Sequence, residues 1–252
     1  HSCGWWRMQR TGLVGVCNPQ PEQAIYANKE KMSNPYITMI ASEWADPIAD
    51  LAASWQKRMV ANPHISHMTP QDRGTCCAII LLFVVMLESY TVRADFDIES
   101  EEGIDIKKSS GRKFDARGWW EKSNYHAKED VVDVFVMRDA IAHNHLYGYD
   151  DPHPALPIKY THLDGGDNKF RSRTREGRLT RTGLSCIPGE IGPNEVIGIS
   201  RISEGALRLL CEKFPGVGEV DFFFARRGAA KNLWECVFSA ADMASRLKVR
   251  TI

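Results

Sequence analysis

The sequence has no excess of charge of either sign. Lys and Arg total 32, Asp and Glu total 32, and the formal net charge is zero. This balance excludes a protein that holds nucleic acid through a large overall positive charge. It leaves room for a local basic patch, because electrostatic binding depends on where the charges lie.

Motifs for several common chemistries are also missing. The seven cysteines include no Cys-x-x-Cys pair, and no four ligands have zinc-site spacing, so we expect neither a zinc site nor a disulfide framework. The sequence contains no Gly-Lys-Ser/Thr phosphate-binding loop and no Gly-x-Ser-x-Gly nucleophile elbow. We therefore expect no bound metal and no cofactor.

Long apolar runs are absent as well. The longest, Cys76 to Leu87, has 12 residues, whereas a membrane span needs about 20. We predict a buried core helix and no association with a membrane. The first residues lack the apolar stretch of a signal peptide, and unpaired, widely spaced cysteines suit a reducing compartment. The expected location is therefore the cytoplasm.

Three parts of the chain differ in pattern. Residues 1–33 lack periodicity and are predicted to form a poorly structured lead, or to lie upstream of the natural start. Residues 34–150 have apolar positions at helical spacing, with helix starts at Asn34-Pro35 and Thr69-Pro70. They predict a helical bundle around a helix that runs from Thr69-Pro70 to about Arg93.

Residues 151–252 predict a smaller C-terminal extension that packs on the bundle and contains a short β-hairpin and two helices. Glu176-Gly177 is the expected hairpin turn, and Val196 to Ile202 is a further strand candidate. Ser203 is expected to cap a helix that ends at Phe214, and a last helix begins near Leu233. The predicted fold class is mainly α with a smaller α+β part.

Chemically active side chains are concentrated near the end of an apolar helix. They are Arg138, Asp139, His143, His145 and Tyr147. A charge among core residues costs several kcal/mol unless it is paired or faces a cleft. One interpretation is a polar helix edge that reaches solvent, with the histidines favoured by the C-terminal helix dipole. The other is a functional cleft.

The segment Arg138 to His143, RDAIAH, resembles the Arg-x(4–6)-His signature of HEPN domains. The resemblance covers this motif with its helix and, more loosely, the helices from about Pro35; it does not extend past Asp150. It implies a helical bundle, commonly a homodimer that joins two motifs across a two-fold axis, and metal-independent RNA cleavage. The implied class is a ribonuclease of the defence or toxin–antitoxin type, with an antitoxin protein as a partner.

The residue types suit this chemistry. A histidine titrates near neutral pH and can serve as acid or base for attack by a 2′-hydroxyl, while the Arg138 fork can stabilise the pentacoordinate phosphate. Asp139 would orient Arg138 or the histidine. Two histidines compete, because His143 lies about 140° round a helix from Arg138 and His145 about 20°. Helix geometry favours His145. The local sequence Ala-His-Asn, which is closer to the family motif, favours His143, which we prefer.

Tyr147 extends the pattern to Arg-x(6)-His-x-Tyr. Some HEPN toxins carry this longer motif, and there an antitoxin nucleotidylates the tyrosine. The resemblance thus makes Tyr147 a candidate modification site. The simpler interpretation, which we favour, is a packing aromatic.

A basic strand is the second functional candidate. Arg171, Arg173 and Arg175 alternate along a predicted strand and would bind RNA phosphates without reading bases. The alternative is a charged edge that blocks strand-to-strand aggregation.

The sequence therefore leaves three hypotheses. The first is a HEPN-type ribonuclease, and the second is a non-catalytic HEPN-like module for dimerisation or for binding RNA or protein. The third is a helical regulator in which the motif match is a coincidence.

Overall fold

The computed structural model describes residues 44–63, 67–101, 114–142, 147–150, 159–162, 172–187, 189–214 and 233–249, all within one compact unit, residues 39–252. They are mainly helical, as predicted. The helices are α1 (Ala45–Ala61), α2 (Pro70–Glu101), α3 (Ala116–Lys122), α4 (Lys128–Ala142), α5 (Pro193–Lys213) and α6 (Leu233–Val249). The strands are β1 (Tyr147–Asp150), β2 (Lys159–His162), β3 (Thr174–Arg175) and β4 (Arg178–Leu179). The predicted lead, 1–33, and the helix start at Asn34-Pro35 lie outside the described residues.

The start of α2 follows from local side-chain chemistry. The Thr69 amide donates to Asp72 Oδ2 at 3.2 Å, and the Asp72 amide donates back to Thr69 Oγ1 at 3.1 Å. This reciprocal pair satisfies N–H groups that have no partner within the helix. The predicted helix start at Thr69-Pro70 is confirmed.

Helix α2 lies at the centre of the bundle. It packs against α1, α3, α4 and α5, and its side chains Ile80, Phe83 and Leu87 are fully buried. The predicted central helix is confirmed, but its predicted end near Arg93 was wrong, because the helix continues to Glu101. No Pro or Gly interrupts this stretch before Gly103, and Ala94 is buried, so core packing carries the helix into the acid-rich residues Asp95 to Glu101.

The same helix has the length and composition of a membrane span. Residues Pro70–Phe96 are long enough and apolar enough to cross a membrane. Half of the apolar 18-residue stretch within them is buried inside the structure. A core helix of a soluble protein passes the same test, so this property does not assign the chain to a membrane.

Helix α3 was not predicted, because seven residues are too short to show a period. Its cap is Asp115, whose Oδ1 accepts the Gly118 amide at 3.1 Å. Trp120 is fully buried, and its indole Nε1 donates to Thr91 Oγ1 of α2 at 3.0 Å. Trp120 therefore packs in the core of the bundle.

The predicted hairpin is present but short. Strands β3 and β4 pair antiparallel, with Thr174 opposite Leu179. Glu176 and Gly177 have φ values of 52° and 73°, the left-handed conformations that a two-residue hairpin turn requires. A second antiparallel pair, β1 with β2, places Tyr147 opposite His162.

The predicted strand Val196 to Ile202 was wrong, because this segment belongs to α5. Its β-branched residues favour a strand locally, but Val196 and Ile199 share one buried face with Leu210, at helical spacing. Packing of that face overrides local propensity. Ser203 is therefore a buried mid-helix residue and not the predicted cap.

Helices from both sides of residue 150 share one core. Helix α6 packs on α1 and α5, and α5 packs on α2 and α4. Phe83 of α2 stacks on Trp234 of α6 with ring centroids 5.2 Å apart. The two C-terminal helices thus contribute core surface to the same bundle as the N-terminal ones.

Candidate functional site

Arg138 lies about one turn before the C-terminal end of α4. The preceding residues of this helix, from Val131 to Met137, are all buried, but the Arg138 side chain is 29% exposed. The guanidinium carbon lies 5.7 Å from the centroid of the Phe135 ring. The helix therefore brings this charge out of the core to a partly solvated position at its C-terminal end.

Two carboxylates hold the Arg138 guanidinium. Its Nη1 donates to Glu88 Oε2 of α2 at 3.0 Å, while Nε and Nη2 both lie 2.9 Å from Asp139 Oδ1. The predicted pairing of Asp139 with Arg138 is present. Glu88 was not predicted as a site residue, because a single acid in a long helix carries no sign of a partner 50 residues away.

These contacts leave part of the guanidinium fork available. Arginine has five N–H donors, and the contacts to Glu88 and Asp139 use three of them. Within the part of the chain that the structure describes, the remaining two, one on each terminal nitrogen, have no partner and could donate to a phosphate or a carboxylate. Arg138 is thus fixed in position and still able to receive an anion.

The predicted partners of Arg138 on the C-terminal side are not placed. His143 and His145 lie outside the described residues, and α4 as described ends at Ala142. The angles of His143 and His145 round the helix relative to Arg138 assume a helix that continues past Ala142, so the structure does not choose between the two histidines. Both remain candidates. Tyr147 belongs to β1, but its side chain is outside the described part.

The basic segment forms the hairpin, not a long strand. Arg171 lies outside the described residues, and Arg175 is exposed. Arg173 is only 20% exposed because it turns toward α4, where its Nη1 is 2.7 Å from Glu129 Oε2. The strand is too short to align the three arginines, since β3 contains Thr174 and Arg175 alone.

An acidic face of α3 and α4 receives the hairpin. Arg173 lies 3.9 Å from Glu121 and 3.8 Å from Asp133, in addition to Glu129. Arg181 Nε donates to Asp130 Oδ1 at 3.0 Å. We call the four carboxylates, Glu121, Glu129, Asp130 and Asp133, the acidic face.

Asp133 is the buried member of this face. It is 0% exposed, and its Oδ2 accepts the Thr182 amide at 3.3 Å and the Thr182 hydroxyl at 3.2 Å. Burial raises the pKa of this carboxyl, and the hydrogen bonds from Thr182 and the charge of Arg173 offset part of that effect. In the sequence, Asp133 is a single acid inside the apolar run VVDVFVM, and it was not among the predicted site residues.

Cys186 lies beside this network. Burial raises the pKa of its thiol to about 12, with further contributions from the charges of Asp133 and Glu195. A thiol with so high a pKa is not a nucleophile at neutral pH. Cys186 therefore acts as a packing residue.

Arg138 and Asp133 mark separate places on α4. Five residues apart, they point about 140° from one another round the helix. The Arg138 cluster faces Glu88 of α2, whereas Asp133 faces the hairpin. Across the described ranges, no three His, Cys, Asp or Glu side chains are grouped so that they could hold a metal ion.

Comparisons with known proteins add no relative. No family model matches the chain, and neither the curated proteins nor the solved structures contain a significant match.

Proposed function

We propose that this protein is a metal-independent endoribonuclease of the HEPN type, acting in defence or as a toxin. The observation that carries the proposal is the state of Arg138: it is held by Glu88 and Asp139, partly exposed, and keeps two N–H donors at the helix end that leads to His143 and His145. Such a fork is what a phosphate in the transition state requires.

In the proposed reaction, one histidine removes the proton from a 2′-hydroxyl, and the oxygen attacks the adjacent phosphorus. Arg138 stabilises the charge that develops on the phosphate oxygens, and Asp139 fixes the guanidinium plane. The 5′-oxygen leaves with a proton from an acid, so the products are a cyclic phosphate and a free 5′-hydroxyl. The hairpin residues Arg173 and Arg175 are proposed to hold the RNA backbone.

The proposal includes a cytoplasmic homodimer that joins two motifs across its axis, and an antitoxin partner. Tyr147 is the proposed target of modification by that partner. Light scattering coupled to size exclusion tests the dimer, with twice the 28.5 kDa chain mass as the expected result.

The decisive test is RNA cleavage in EDTA by the purified chain. We expect a cyclic phosphate product, and a loss of activity of at least a hundredfold in Arg138→Ala, as for other transition-state donors. His143→Ala and His145→Ala identify the motif histidine. The matched control is Arg208→Ala, which removes an arginine from the surface pair with Glu204. Undiminished cleavage in Arg138→Ala and in both histidine variants would refute the proposal.

A second candidate function is a HEPN-like module without catalysis. The observation that favours it is the same pair of carboxylates, because Arg138 then serves as a link between α4 and α2. In that case Arg138→Ala lowers the free energy of unfolding by up to about 1 kcal/mol, and RNA or a protein partner is bound but RNA is not cut. The histidine variants would leave binding unchanged.

A further inference from the structure

Three of the four arginines in residues 172–182, Arg173, Arg178 and Arg181, already pair with carboxylates. We define the arginine hairpin as residues 172–182. Arg173 contacts three members of the acidic face, and Arg181 contacts a fourth. Arg178 lies 3.2 Å from Glu190 outside that face. In this arrangement the hairpin's positive charge is largely neutralised within the molecule.

We infer that the acidic face of α3 and α4 is an internal competitor of RNA, which occupies Arg173 and Arg181 until RNA phosphates displace it. This regulation concerns Arg173 of the proposed RNA-binding site and Arg181 of the same hairpin, and it rests on that proposed function. A guanidinium binds carboxylate and phosphate oxygens through the same paired N–H donors. Arg173 therefore cannot give the same donors to Glu129 and to RNA at once.

The hairpin is built so that it can be displaced. It has two residues in each strand, with one further bridge from Arg178 to Ser185, and so small a β-structure is marginally stable by itself. Its buried apolar anchor is Leu179, which is 1% exposed. Its other attachments to the acidic face are polar: the arginine pairs and the hydrogen bonds from Thr182 to Asp133.

The strength of the contacts also permits competition. The Arg181 side chain is 63% exposed, so water and salt screen its pair with Asp130. Glu129 is 47% exposed but its partner Arg173 only 20%, so that pair is screened less. An exposed pair of this kind changes an equilibrium by at most about fivefold. RNA offers several phosphates close together, and each contact releases a condensed counterion.

The test measures binding separately from cleavage. The probe is a fluorescent single-stranded 2′-O-methyl RNA, which cannot be cut by attack of its own 2′-oxygen, and the assay is fluorescence anisotropy with the full chain. The variant Glu129→Gln with Asp130→Asn removes two competitors and keeps every arginine. We expect its Kd to fall about fivefold to twentyfold, and amide exchange in residues 172–182 to become faster.

The matched control is Glu204→Gln with Asp242→Asn. It removes two carboxylates that also pair with surface arginines, Arg208 and Arg246, on α5 and α6. Its Kd should stay within twofold of the wild type. An equal gain in both double variants, no gain in either, or no RNA binding by any protein overturns the inference. A selective gain without cleavage of unmodified RNA upholds it and refutes the ribonuclease proposal.

Discussion

Replacing Thr91 with Val should destabilise the protein through a single buried donor. Trp120 Nε1 donates to Thr91 Oγ1 at 3.0 Å, and both side chains are fully buried. Val has nearly the shape of Thr but cannot accept this hydrogen bond. A buried donor left without its acceptor costs about 1–3 kcal/mol, so Thr91→Val should lower the free energy of unfolding by about that amount.

The Trp120→Phe background supplies the control. Phe has no N–H to satisfy, while the Thr91 hydroxyl keeps its bond to the Leu87 carbonyl at 2.8 Å. In this background Thr91→Val should cost close to nothing, which gives a coupling energy of about 1–3 kcal/mol between the two positions.

The assay is urea unfolding of the four proteins of this cycle, followed by far-UV circular dichroism. Equal costs of Thr91→Val in the wild type and in Trp120→Phe would refute the hydrogen bond as the link between α3 and α2. A coupling energy of at least 1 kcal/mol would show that the capped helix α3 is held to the central helix by this contact.

Three further predictions use other contacts. Arg138→Lys keeps the charge but loses the planar guanidinium fork, so we expect RNA cleavage to fall about a hundredfold or more. The free energy of unfolding should change by less than about 1 kcal/mol. An activity loss explained by a loss of stability would contradict this prediction. Burial raises the folded-state pKa of Asp133, so its contribution to stability is greatest at low pH and declines as pH rises through that pKa, by at most about 1.4 kcal/mol per pH unit. Urea unfolding across pH 4–8 should show the free energy of unfolding of Asp133→Asn rising relative to that of the wild type as pH rises. Parallel pH dependences of the two free energies would refute this. Gly74 is helical with no atom within 4 Å of an added Cβ, so Gly74→Ala should raise the free energy of unfolding by about 0.5–1 kcal/mol. Gly177 has a φ of 73°, so Gly177→Ala should lower the free energy of unfolding. A change of the same sign in both variants would contradict this prediction.

Local patterns predicted the elements that depend on local chemistry. Capping predicted the helix start at Thr69-Pro70, and turn geometry predicted the turn at Glu176-Gly177. Hydrophobic spacing predicted the buried central helix α2. The errors came where distant packing decides. The segment Val196 to Ile202 has strand-like residues, but contact with α2 and α4 makes it part of a helix.

The candidate site divides in the same way. The sequence singled out Arg138 and Asp139, which are neighbours, and the charge of Arg173. It gave no sign of Glu88 or Glu129, because those carboxylates come from separate parts of the chain and reach the arginines only after the helices pack.

The neutral net charge shows what each level decides. The sequence alone determined that positive and negative residues are equal in number and that several arginines are concentrated in residues 171–181. The tertiary structure alone decided that Arg173 and Arg181 meet the acidic face, and that Arg138 keeps two donors beside Glu88 and Asp139. The physical reason is that Coulomb attraction depends on distance and solvation, and folding sets both.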